Sequence, residues 1–249
     1  MAAAFVQALF TGSSKTAGAS LAITGSKTIT VRDTIFVAFA SDDVGSAYSV
    51  TDNLGNIYTS VKEQVNTGAV KTRLWRAPVT VGGTLTTQTI SWTTNATAKA
   101  AVSAEFSGVG SQIAGSPVGT NTSVAGSVFP IISTDALNTP AGGLAVGAAG
   151  FEAPSDDATP TWSISATTDV ISNATITGTI GGGATSNISV SLIYTLGPVT
   201  NTQIVKIDSG RTTRNGAGAG AIYNMDANVL NPVVVRFVEM RPNTPITWR

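Results

Sequence analysis

No apolar spacing of the i, i+3, i+4 type is sustained over three helical turns anywhere in this sequence, and that excludes the helical architectures. In its place stand short runs rich in Thr, Val and Ile, each closed by Gly, Asn, Asp or Pro. β-Branched side chains suit a pleated, half-buried surface. Turn residues recurring about every eight to twelve positions mark a sandwich or barrel. The sequence therefore predicts an all-β, antiparallel β-sandwich.

The runs differ in how they are covered. "TIFVAFASD" (Thr34–Asp42) is apolar on both faces, which predicts a central strand with a layer on each side. "DNLG" (Asp52–Gly55) places Asn and Gly where a reversal between two strands demands positive φ. "AVKTRLWRAPVT" (Ala69–Thr80) and "TLTTQTISWTT" (Thr84–Thr94) follow as strands, separated by Gly82-Gly83. "AKAAVSAEFSGV" (Ala98–Val109) has strand neighbours on both sides and reads as a strand rather than a short helix. The segment Gly110–Gly126 has little pattern and reads as a long loop. Later strand candidates include "GLAVGAAGF" (Gly143–Phe151), "SNISVSLIYTL" (Ser186–Leu196), "GAIYNMDA" (Gly220–Ala227) and "PVVVRFVEM" (Pro232–Met240). The expected core is Ile35, Val37, Phe39, Leu74, Val102, Phe106, Val190, Leu192, Val234 and Phe237.

A chain of 249 residues without a linker-like shift in composition fits one sandwich domain over residues 1–240. "RPNTPITWR" (Arg241–Arg249) reads as an extended C-terminal tail. Only 11% of residues are charged, against roughly a quarter in an average soluble domain, and the formal net charge is zero. No basic field exists to collect phosphates, so nucleic acid is not an expected partner. No run approaches about 20 apolar residues, so no membrane span is expected. The start "MAAAFVQALFTGSSKTAG" lacks a basic segment before its apolar run and is not read as a signal peptide.

The chain contains neither cysteine nor histidine. Thiolate chemistry is excluded, together with the usual general base and the usual zinc ligand. Neither a catalytic residue nor a cofactor is expected. "NGAGAG" (Asn215–Gly220) lacks the strand–helix context of a dinucleotide loop and reads as small-residue packing or a hairpin. The pairs Asp42-Asp43 and Asp156-Asp157 read as turn residues, with calcium as the competing reading. Glu63, Glu105 and Glu152 are the carboxylates that a glycoside hydrolase would need facing each other across a cleft. Trp75 lies between Arg73 and Arg76. It either stacks a sugar or a partner chain or plugs the core at a strand end. Tyr58 is a second candidate for glycan contact, and Trp248 in the tail is a candidate contact with another subunit.

Three phrases, "SVTDNLGNIYT" (Ser49–Thr59), "LWRAPVTVGGTLT" (Leu74–Thr86) and "AVSAEFSGV" (Ala101–Val109), resemble a recurrent β-sandwich module of tailed-phage virion proteins and bacterial surface proteins. The resemblance runs from about Ile35 to Val109. It implies a jelly-roll-like sandwich whose first and last strands are brought together. It also implies placement on a virion or cell surface. The shared positions are turn and core positions, so the resemblance carries no catalytic residue. The expected function is a non-enzymatic structural protein of a phage-like virion, exposed on the particle as a capsid decoration or tail or spike component. Its expected partners are copies of itself, as a homo-oligomer, and other virion proteins. The alternative is a carbohydrate-binding adhesin module that takes a host-surface glycan.

Overall fold

A computed structural model describes residues 1–113, 118–124, 141–153, 163–164, 173–179, 187–197, 207–208 and 213–226. Among them all regular structure is β, and every ladder is antiparallel. The first eight strands are β1 (Ala4–Ser14), β2 (Gly18–Ile29), β3 (Thr34–Asp42), β4 (Ser49–Asp52), β5 (Thr59–Asn66), β6 (Val70–Pro78), β7 (Gly83–Ala96) and β8 (Lys99–Ser107). They form a five-stranded sheet in the order β1-β8-β3-β6-β5 and a three-stranded sheet in the order β2-β7-β4. The ladders β1·β8, β2·β7 and β3·β6 join strands from opposite ends of this segment. A long antiparallel ribbon rolled across two sheets gives that pairing, which is the jelly roll. The first strand of this segment, β1, pairs with its last, β8. One strand departs from the rolled ribbon: β5 pairs with β6 instead of β4 and so extends the five-stranded sheet.

A third layer follows. Strands β9 (Val109–Gln112), β10 (Val118–Val124), β11 (Leu144–Ala153), β13 (Asn173–Gly178), β14 (Asn187–Leu196) and β16 (Thr213–Met225) form a six-stranded sheet. The short strands β12 (Ser163–Ile164) and β15 (Ile207–Asp208) pair with each other. The five-stranded sheet is therefore the middle layer. On one face Phe36, Ala38, Ala40, Leu74, Val102 and Phe106 meet Leu144, Val146, Val190, Leu192 and Tyr223 of the third layer. On the other face Ile35, Val37, Phe39 and Trp75 meet Ile23, Leu85, Ile90 and Trp92 of the three-stranded sheet. This is why β3 is apolar at consecutive positions: each face of the strand belongs to a different core. Eight of the ten expected core residues are buried; Val234 and Phe237 lie outside the described residues, as do "PVVVRFVEM", Asp156-Asp157 and the tail with Trp248.

Small residues set the spacing of the layers. A Cβ on Gly150 in β11 would lie 2.1 Å from Thr72 Oγ1 and 2.7 Å from the Ala40 Cβ of the middle sheet. The glycine-rich run "NGAGAG" lies inside β16, between β10 and β11 in the third sheet. Ala217 and Ala221 of this strand join the core against the middle sheet, so small-residue packing is the reading that holds.

Two expectations are corrected. The segment Gly110–Gly126 is not one long loop, because β9 and β10 both fall in it and hydrogen-bond to β16. Also, "DNLG" does not close a hairpin. β4 pairs with β7 and β5 with β6, so the turn is a corner where the chain passes from the three-stranded sheet to the middle sheet. The left-handed glycine is nevertheless there, with Gly55 at φ +80°.

Candidate functional site

The polar residues of "TDNLGNIY" form a dense hydrogen-bond network. Asp52 Oδ1 accepts the N–H groups of Leu54 (2.9 Å) and Asn56 (3.0 Å), which fixes the corner from within. Asn53 Oδ1 accepts the N–H of Thr86 at 2.7 Å, and Asn56 Oδ1 accepts those of Thr80 and Val81, both at 3.0 Å. Thus two asparagines tie the corner to the β6–β7 connection and the start of β7.

From the same corner a polar string enters the core. The Tyr58 hydroxyl donates to Asp52 Oδ2 (3.0 Å) and accepts from Gln88 Nε2 (2.8 Å). The Ser103 hydroxyl donates to Gln88 Oε1 (2.6 Å) and accepts the Phe10 N–H (3.1 Å). Gln88 and Ser103 are both wholly buried. The string links β4, β7, β8 and β1, and it satisfies polar atoms that would be costly if left alone. Burial, the larger cause, and the neighbouring Asp52 carboxylate hold the Tyr58 hydroxyl above the ordinary tyrosine range.

The sequence-predicted contact residues are dispersed by strand alternation. Trp75 is 2% exposed and packs with Phe39 in the core beneath the three-stranded sheet. It offers no face to a sugar, and the core-plug reading describes it. Tyr58 packs at the margin of that same core, with its hydroxyl inside the polar string. Arg73, on the same face as Trp75, lies over the Tyr48 ring at 4.0 Å and faces the Glu63 carboxylate. Burial holds its guanidinium below the ordinary arginine range. Arg76 points the other way, over the ring of Tyr223 at 4.8 Å.

The acidic candidates have separate structural partners. Asp42 Oδ2 accepts the N–H groups of Thr97 and Ala98, both at 2.9 Å. Asp43 accepts from Gly68 N–H at 3.0 Å and sits 3.5 Å from the Lys71 ammonium. Asp42 closes β3 and Asp43 follows it, and both carboxylates tie neighbouring loops to that strand end. Glu152 accepts from Asn215 Nδ2 at 2.8 Å. Glu105 is wholly buried and accepts from Gln7 Nε2 (2.7 Å) and Thr30 N–H (2.8 Å). No group of three or more His, Cys, Asp or Glu side chains among the described residues is placed to hold a metal ion.

One concave feature was not anticipated. A cleft of about 580 Å³ opens at the seam between the jelly roll and the third sheet, lined by Arg76, Val109, Ser111, Asn224, Met225 and Asp226. Arg76 Nη2 donates to Gly110 O at 3.0 Å, which ties β6 to β9 at the base of the seam. Burial, the larger cause, lowers the Arg76 pKa from its ordinary value. The alternation in "RLWRAP" sends Arg73 and Arg76 to opposite faces.

No protein family, characterised protein or solved structure matches this chain.

Proposed function

We propose that this chain is a non-enzymatic structural protein of a phage-like particle, displayed on the particle surface as a capsid decoration or a tail or spike component. The observation that carries the reading is the use made of the segment Ser49–Thr59. Asp52, Asn53, Asn56 and Tyr58 all hold loops or core together, which supports a structural role for the phrase. Jelly rolls recur in viral coats and in lectins, and fold alone does not choose between them. The glycan-binding alternative, as framed on Trp75 and Tyr58, draws no support from their burial. Low charge fits a subunit that packs beside its own copies, because little repulsion opposes association.

The test combines native mass spectrometry with co-sedimentation on purified particles. A homo-oligomer, or a chain that pellets with particles at fixed stoichiometry, is the expected result. A monomer that ignores particles overturns the reading.

A further inference from the structure

We propose that the cleft at the Arg76 seam is a binding site for a neutral saccharide. This goes beyond the structural role and does not depend on where the chain is assembled. Three observations carry it.

The first is location. The cleft lies where β6 of the middle sheet meets β9 and β16 of the third layer, and junctions between packed units are common ligand sites. Its volume of about 580 Å³ falls within the range of small-molecule sites, roughly 300–1,000 Å³.

The second is local irregularity. Between the pairs Tyr223↔Gln112 and Met225↔Val109, two steps along β16 are matched by three along β9. The extra residue is a β-bulge, and it falls at Gly110-Ser111. Bulges re-aim side chains and are enriched beside sites. Here the bulge places Ser111 and the Gly110 carbonyl at the cleft, and that carbonyl receives the Arg76 guanidinium.

The third is the chemistry of the lining. Arg76 brings a fixed positive charge and Asp226 a negative one. Ser111 and Asn224 bring a neutral hydroxyl and amide, linked at 3.4 Å. Val109 and Met225 bring apolar surface. An anion that gains at Arg76 meets Asp226, and a cation meets the reverse. A polyol has no such conflict. Its adjacent hydroxyls donate to carboxylate and hydroxyl oxygens and accept from guanidinium and amide N–H groups, while its C–H face rests on the methionine and valine. Donors, acceptors and an apolar wall suit a sugar ring, and the Met1 ammonium beside them is already engaged by the Asp226 carbonyl oxygen at 2.7 Å.

The test uses the full chain carrying ¹³C-methyl methionine, in which Met225 reports from the cleft wall. The probes are methyl glycosides of glucose, galactose, mannose and rhamnose, with glucuronate and acetate as anions and glucosamine as a cation. A saturable shift of the Met225 methyl with at least one neutral glycoside is the expected result. Ser111→Ala and Asn224→Ala should each weaken that binding about tenfold, the loss expected for one good hydrogen bond. Ser111 is exposed, so its variant keeps the wild-type denaturation midpoint and reads binding alone. A shift produced only by glucuronate and acetate makes this an anion site, and one produced only by glucosamine a cation site. Either result, silence from every probe, or binding unchanged in the Ser111→Ala/Asn224→Ala double variant overturns the proposal.

Discussion

The Tyr58 hydroxyl stands 3.0 Å from Asp52 Oδ2 and 2.8 Å from Gln88 Nε2, so one oxygen joins the corner of the phrase to the amide at the centre of the jelly roll. Tyr58→Phe removes that oxygen. Asp52 Oδ2 keeps Asn56 Nδ2 at 3.1 Å, but the wholly buried Gln88 amide loses its acceptor. An orphaned buried donor costs about 1–3 kcal/mol. The urea midpoint of Tyr58→Phe should fall accordingly, and an unchanged midpoint would show that the string does not stabilise the fold.

The same substitution at Tyr223 should behave differently. Tyr223 is wholly buried, and its hydroxyl has no hydrogen-bond partner among the described residues. Tyr223→Phe removes an unsatisfied polar atom and keeps a ring beneath Arg76. Stability should stay the same or rise by up to about 1 kcal/mol. A loss of comparable size in thermal denaturation would reveal a partner for that hydroxyl.

Two glycines separate backbone strain from crowding. At Gly55 an added Cβ meets nothing within 4 Å, yet φ is +80°. Gly55→Ala should cost about 1 kcal/mol through backbone conformation alone, and Gly55→Asn less, because Asn tolerates the left-handed region. At Gly150 an added Cβ would strike Thr72 Oγ1 and the Ala40 Cβ between two sheets. Gly150→Ala should cost about 1–3 kcal/mol by overpacking. Adding Thr72→Ala should recover part of that loss, because the two residues share one space. Denaturant titration of these variants, with Thr72→Ala alone beside the double variant, checks both claims, and simple additivity at positions 72 and 150 would count against the close approach.

The middle layer was legible because its signal is local. Ile35, Val37 and Phe39 alternate with Phe36, Ala38 and Ala40, and a strand apolar at every position needs cover on both faces. Strands β1 and β2 were not read in advance. In β1 only Leu9 and Phe10 are buried, while Phe5 and Val6 are exposed, so no alternation marks the strand. β10 pairs along its whole length with β16, a partner far away in the sequence. The cleft was hidden for a related reason. Arg76 comes from β6, Ser111 from β9 and Asn224 from β16, and nothing local in the sequence indicates that these strands meet. The phrase around Asp52 was correctly read as scaffold, but its hand-over between sheets depends on β5 pairing with β6, which the turn residues do not encode.

The pair Asp33 and Glu105 sets a pH dependence of known sign. Glu105 is wholly buried, and its oxygens accept from two neutral donors, Gln7 Nε2 and Thr30 N–H. Asp33 lies beside it and hydrogen-bonds to it. Burial first, and then the Glu105 charge, push the Asp33 carboxyl from its ordinary 3.8 up to about 6. A carboxyl raised in the fold binds its proton more tightly folded than unfolded, so the unfolded chain releases it first as pH rises. The stabilisation is therefore complete below about pH 4 and is lost as pH rises through about 6. Asp33 is partly open to solvent, which screens the effect and keeps it modest. Above that window two neighbouring carboxylates repel at the β2–β3 connection. Asp33→Asn removes the titrating group, so its urea midpoint should lack this component of the fall between pH 4 and pH 7 that the wild-type chain shows. Parallel pH profiles for wild type and variant would contradict the proton-sharing arrangement.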